Sequence, residues 1–194
     1  MFRLIFVCLY GVFGAIRVYY RSRNIGRNSK DEESALNRAG IFLSISILLF
    51  FVFIFLYLLV PDWIAFTHFD YPVEIRWIGV GTGIVNIVVL LWTHHTLGKQ
   101  YSAKLEIQKE HDLIQSGPYS KVRHPMYTVF ISFSISVAVV SSNWLMIISA
   151  ILIGVGLYWI TLTEEPMLIR EFGDKYLEYQ KRAGRFLPRL RRKH

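Results

Sequence analysis

Long apolar runs separated by short polar ones dominate this chain. Residues 41–60 form an uncharged apolar run, long enough to cross the hydrocarbon core of a bilayer, which takes about 20 helical residues. A water-soluble core helix of that length would break the run with a polar face. Residues 4–20, 75–96, 126–141 and 144–163 have the same apolar character. The run at 126–141 is the shortest and most polar, carrying Ser132, Ser134, Ser136 and Ser141, with Ser142 just beyond. It reads as one arm of a tight helical hairpin that turns near Asn143. The pattern predicts an all-α polytopic membrane helix bundle with five transmembrane helices.

After the last run the periodicity changes. Leu168, Ile169, Phe172, Tyr176 and Tyr179 recur at three- and four-residue steps with charges between them, which predicts an amphipathic C-terminal helix. Pro166 suits its first turn, and the helix is expected to lie along the membrane surface or over a site there. Residues 24–33 read as an exposed loop in which Ser29 or Asp31 caps a short helix. No internal repeat interrupts the chain. It reads as a single membrane domain, 1–194, with three spans in 1–97 and a loop, hairpin and tail in 98–194.

Composition agrees: 53% of residues are hydrophobic and only 19% charged, against about 25% charged in soluble domains. Charge adds the orientation. Arg21, Arg23, Arg27, Lys30 and Arg38 lie in the first connection; Lys99, Lys104, Lys109, Lys121 and Arg123 in the third. The tail carries nine basic residues from Arg170 to Lys193. The second connection and the hairpin turn carry none. Basic loops stay cytoplasmic, so the N-terminus is expected outside, the C-terminus and amphipathic tail helix inside, and the number of spans odd. Most of the net charge of +8 then faces anionic membrane lipid. No recognition helix or aromatic platform accompanies it, so nucleic acid is excluded as a partner. The N-terminal run lacks a small-x-small cleavage site before Arg17 and is read as the first span. Cys8, the single cysteine, forms no intrachain disulfide.

Chemistry is expected in two polar segments set against membrane-helix ends. One is EHDLIQSGPYSKVRHPMY, Glu110 to Tyr127; the other is TEEPMLIREF, Thr163 to Phe172. Gly117-Pro118 forces a turn and Pro125 opens a helix, which holds Arg123 and His124 at a helix start. Glu164 and Glu165 are expected to end the fifth span just before Pro166. Arg, His, Tyr and two carboxylates at one membrane face suit a zwitterionic ligand. Their structural alternatives are topology for Arg123 and dipole capping for the glutamates. Other signals carry no chemistry. Gly79, Gly81 and Gly83 lack the strand and acidic residue of a dinucleotide fingerprint, and read as close helix packing, as do Gly11 with Gly14 and Gly154 with Gly156. His94 and His95 are adjacent, point to different faces and give no metal site. Trp63, Trp77 and Trp92 sit where interfacial anchors belong.

GPYSKVRHPMY (Gly117 to Tyr127) followed by EEPMLIREFGDKYLEYQKRAGRFLP (Glu164 to Pro188) resembles the paired signature of the isoprenylcysteine carboxyl methyltransferase family, relatives of the phospholipid N-methyltransferases. The resemblance covers about the last 80 residues. It implies S-adenosyl-L-methionine as cofactor and S-adenosyl-L-homocysteine as product, in a pocket on the cytoplasmic face. On matching positions, Leu113, Gly117, Tyr119 and His124 would line that pocket and Glu165 would meet the cofactor's amino-acid end. Arg123 and Glu164 would face the reacting centre, with the two glutamates open to exchange. Gln108, His111 and Tyr127 flank the motif and are added to the cofactor set. The acceptor would be lipid-like or prenylated and enter from the bilayer.

A prenylcysteine carboxylate leads among the acceptors. Its pKa of roughly 3.3–3.7 leaves it ionised, so it needs a cation rather than a base, and Arg123 is the candidate. A phospholipid amine would arrive protonated and call on Glu164 or His111. Two readings compete: a nicotinamide-dependent sterol-type reductase, to which this chain is short, and a non-enzymatic scaffold or transporter. Transport would require polar midplane residues, of which there are only Asn86 and a few serines.

Overall fold

The computed structural model describes residues 1–22, 38–97 and 113–189. The loop at 24–33, with its capping candidates, lies outside them, as do Gln108 and His111. Helices α1 (Phe2–Ser22), α2 (Arg38–Leu59), α3 (Val73–Leu97), α4 (Pro125–Ser141), α5 (Trp144–Phe172) and α6 (Asp174–Arg182) follow one another, with no strand among the described residues. Helices α1, α2, α3 and α5 are long and apolar enough to cross a membrane. Helix α4 is a shorter apolar helix of 17 residues, about 25 Å long at 1.5 Å per residue. The chain is an all-α, multi-pass integral membrane protein.

Helix α4 is the hub: it packs between α3 and α5, while α2 lies on α5 and α1 lies across α3 and α4. Phe13 of α1 stacks on Phe133 of α4 with centroids 3.8 Å apart, in a core that also holds Phe6, Phe50, Leu90, Val129 and Val137. Outward surfaces are apolar; Leu48, Phe55, Ile78 and Val88 are all more than half exposed, as lipid-facing positions must be. Polar side chains sit between helices instead. Asn86 Nδ2 donates to Ser132 Oγ (2.9 Å), and the Thr82 and Ser136 hydroxyls pair at 2.9 Å, tying α3 to α4 where no water competes.

Close packing is narrower than the sequence suggests. An added Cβ at Gly79 would come within 3.0 Å of Ser136 O on α4, and one at Gly156 within 3.1 Å of Leu43. Gly83 faces Leu9. A Cβ added at Gly81, Gly11 or Gly14 would meet nothing within 4 Å among the described residues, so these three are not packing contacts there. Residue 81 lies about 200° around the helix from 79 and faces outward.

The α4–α5 turn is fixed at the end of the bundle away from the paired motifs. Ser142 adopts φ 53°, and the Asn143 side chain caps α5 by accepting from Leu145 N at 3.0 Å and Met146 N at 3.4 Å. A 3-10 segment, Pro61–Thr67, docks there through Asn143 Nδ2 to Thr67 Oγ1, 2.6 Å. Arg76 and Tyr71 donate to the Val140 and Val139 carbonyls, satisfying acceptors that a helix C-terminus leaves open.

At the other end the expected boundary moves. Helix α5 does not stop at the glutamates, and Pro166 does not open a tail helix; α5 runs through Pro166 to Phe172. A proline removes one ladder bond without stopping a helix whose later positions are still packed, and Leu168, Ile169 and Phe172 pack against Tyr176 and Tyr179. The break falls at Gly173, φ 55°. Helix α6 then folds back with its buried tyrosines toward the bundle.

Candidate functional site

The loop before α4 and the tail after α6 are laced together. Residues Gly117–Ser120 form a 3-10 turn. Gly117, at φ 56°, lies so close to Thr96 that any Cβ would strike its side chain. Tyr179 of α6 donates its hydroxyl to Tyr119 O at 2.6 Å. Beyond α6 the tail runs parallel to residues 121–124: Gly184 N donates to Lys121 O (3.0 Å), Arg123 N to Gly184 O (2.7 Å) and His124 N to Arg185 O (3.1 Å). Thr128 Oγ1 extends the seam to Phe186 O at 2.9 Å. The backbone turns so sharply at Gly184 that a Cβ there would overlap the Leu187 carbonyl.

This seam delivers two arginines to one carboxylate. Glu165 Oε1 accepts from Arg123 Nε (3.0 Å) and Nη2 (2.8 Å), and also from Arg185 Nε at 3.1 Å. Its Oε2 accepts from Arg185 Nη2 at 2.7 Å and Gln180 Nε2 at 3.3 Å. Arg123 Nη1 turns away to the carbonyls of Ala183 (2.6 Å) and Gln180 (3.4 Å). Four of its five N–H groups are thereby engaged, and it cross-links the loop before α4, α5 and the end of α6 with the tail.

Glu164, 100° around α5 from its neighbour, has a different environment. Its Oε1 accepts from Tyr127 OH at 2.6 Å, and its side chain is 37% exposed against 7% for Glu165. His124 stands between them, with Nε2 3.3 Å from Glu165 Oε1 and Nδ1 3.7 Å from Glu164 Oε2. Burial pulls its pKa down to about 4 against the opposing pull of Glu165, so the imidazole is neutral near pH 7. The geometry fits one N–H, on Nε2, donated to Glu165. A cavity of about 240 Å³ opens beside these groups, lined by Leu97, Tyr119, Arg123, His124, Pro125, Met126 and Tyr127.

The structure therefore brings together Arg123, His124, Tyr127, Glu164 and Glu165, with Tyr119 on the cavity wall. Leu113 instead packs against the Tyr176–Tyr179 cluster, and Gly117 lies under Thr96. Sequence reasoning missed Leu97 and Met126 on the wall, and Gln180 and Arg185 on Glu165. Arg185 was visible there only as one charge of a basic tail.

Residues 78–170 match the model of the isoprenylcysteine carboxyl methyltransferase (ICMT) family. The chain belongs to this family. The ICMT segment includes Arg123, His124, Tyr127, Glu164 and Glu165, and ends before Gln180 and Arg185. The chain is 32% identical over 139 residues to protein-S-isoprenylcysteine O-methyltransferase of Homo sapiens, covering 66% of this chain and 48% of that protein. Against the Xenopus laevis protein of the same name it is 30% identical over 138 residues, with the same coverage. It is also 34% identical over 119 residues to methanethiol S-methyltransferase of Pseudomonas deceptionensis, covering 58% of this chain and 44% of that one. The chain spans about half the length of the curated relatives it matches.

Proposed function

We propose that this chain is an S-adenosylmethionine-dependent methyltransferase that methylates a lipid-like acceptor at the cytoplasmic face of the membrane, with a prenylated cysteine carboxylate as the leading substrate. The observation that carries the reading is the partly exposed Glu164 carboxylate, held by Tyr127 beside an aromatic-walled cavity. The residues fit the cofactor. Glu164 keeps acceptor capacity for an ammonium, whereas Glu165 is occupied by two guanidinium groups and shielded by Gln180. Of the two glutamates, Glu164 is thus the better partner for the cofactor's amino-acid end. Leu113 and Gly117 would act by shaping the loop; Gln108 and His111 lie outside the described residues and stay in the cofactor set only as the resemblance implies.

When bound, the cofactor supplies a sulfonium methyl that transfers by in-line displacement. The chain's own task is alignment, which in well-oriented systems is worth about 7–11 kcal/mol of barrier. Arg123 and Glu165 hold the loop, α5 and the tail in one rigid frame. Neutral His124 contacts Glu165 through Nε2 without adding charge. An ionised carboxylate acceptor needs no proton removed, which agrees with a site whose buried carboxylate is already committed. The apolar groove between α3 and α4, about 510 Å³ and lined by Ile75, Ile78, Ile131, Ile135 and Phe186 among others, supports an acceptor that enters from the bilayer. Anionic lipid at the same face would meet the basic tail.

The test is calorimetric titration of S-adenosylhomocysteine into the detergent-purified protein beside a Glu164→Ala variant. Binding that the variant loses supports the reading. A folded wild-type protein that binds none removes it and turns attention to nicotinamide cofactors. The methanethiol-methylating relative makes a small thiol the second acceptor to try.

A further inference from the structure

We propose that Arg185 is the acceptor-binding residue of this site: its guanidinium takes the carboxylate of an amphiphile whose apolar part lies against Tyr158 and Phe186. The inference rests on the methyltransferase reading and deepens it, by naming the group that selects an anionic acceptor over an amine.

Charge is the first argument. Two guanidinium groups converge on one buried carboxylate, Glu165. Glu164 accepts from Tyr127 and faces a neutral His124, leaving it for a cationic ligand. The Glu165 cluster therefore holds one positive charge in excess, in surroundings where an unbalanced charge is costly. An anion arriving there is favoured and a protonated amine is repelled.

Geometry then separates the two arginines. Arg123 is enclosed, its side chain 7% exposed and four N–H groups engaged. Arg185 is the accessible one, at 26%. Its Nε and Nη2 edge is on Glu165, which leaves the Nη1 side of the planar guanidinium for a second carboxylate. Its guanidinium lies 5.2 Å from the Tyr158 ring centroid, and Phe186 sits 6.3 Å from Tyr158 and 6.2 Å from His124. Phe186, with Leu187 and Thr128, closes one end of the α3–α4 groove. A cation at the mouth of an apolar groove matches a carboxylate head on a long apolar chain. Arg185 lies beyond residues 78–170, the segment that matches the family model.

The experiment measures binding of N-acetyl-S-farnesylcysteine and of its carboxamide to the purified protein saturated with S-adenosylhomocysteine. The wild type should prefer the carboxylate by about ten- to a hundred-fold, as expected for a charge-assisted contact. Arg185→Gln should lose that preference while keeping its affinity for S-adenosylhomocysteine, and Arg185→Lys should recover part of it. An unchanged preference in Arg185→Gln overturns the proposal alone. So does loss of S-adenosylhomocysteine binding in Arg185→Gln, which would make the residue part of the frame. A wild type that binds no S-adenosylhomocysteine overturns the methyltransferase reading beneath it.

Discussion

Replacing Glu165 by glutamine keeps its shape and removes its charge, leaving Arg123 and Arg185 facing each other. Truncating one partner of a buried ion pair costs about 3–5 kcal/mol, because the surviving charge is stranded. Here two cations are stranded, but unequally. Arg123 is enclosed and bonded to the Ala183 and Gln180 carbonyls, so it cannot leave. Arg185 is a quarter exposed and can swing outward, which places the expected loss near the lower end, about 3 kcal/mol. For a chain of this length that lowers the thermal midpoint by roughly 6–12 °C, read from intrinsic fluorescence in detergent. The double variant Glu165→Gln/Arg185→Gln should lie above the single Glu165→Gln, since it removes one stranded cation. A midpoint within a degree of wild type, or a double variant less stable than the single, would show that Glu165 does not neutralise the arginine pair.

Three further outcomes are expected. His124 stays neutral in the fold at about pH 4–6.5, where an unfolded histidine is protonated, so stability should be full above about 6.5 and fall by about 3 kcal/mol as pH drops to about 4; His124→Asn should flatten that slope in midpoints measured from pH 4 to 8. Gly184→Ala forces the tail backbone to shift, at about 1–3 kcal/mol as for overpacking, and limited proteolysis should release the segment after α6 faster than in wild type. Asn143→Ala removes the α5 cap and the bond to Thr67, costing about 1–2 kcal/mol with cofactor-product affinity unchanged, because the turn lies at the far end of the bundle.

How much could be read from the sequence follows from where each signal resides. The spans were legible because lipid exposure demands uninterrupted apolar runs, and residues 41–60 and 75–96 became α2 and α3 within a few residues. Pro125 and Asn143 marked the start and the turn of the hairpin because capping is a local property. Pro166 misled because a proline's effect depends on whether the residues beyond it are packed, and Leu168 and Phe172 are. The convergence of Arg123, His124 and the two glutamates came from the resemblance, since no local rule joins residues some 40 positions apart. Arg185 was illegible: its place beside Glu165 depends on the reversal at Gly173, the length of α6 and the tight turn at Gly184 acting together. The difference between Glu164 and Glu165 was likewise a matter of helix phase against partners not yet placed.

The most direct test of the central claim is transfer of a labelled methyl group from S-adenosylmethionine to N-acetyl-S-farnesylcysteine by the protein in lipid vesicles, with Arg123→Ala beside it. Base-labile methyl ester should form with wild type and be abolished in Arg123→Ala, whose frame around Glu165 is broken. Near-normal turnover in that variant would contradict the account of the site, and no transfer to this acceptor, to lipid amines or to thiols by folded wild-type protein would contradict the methyltransferase assignment.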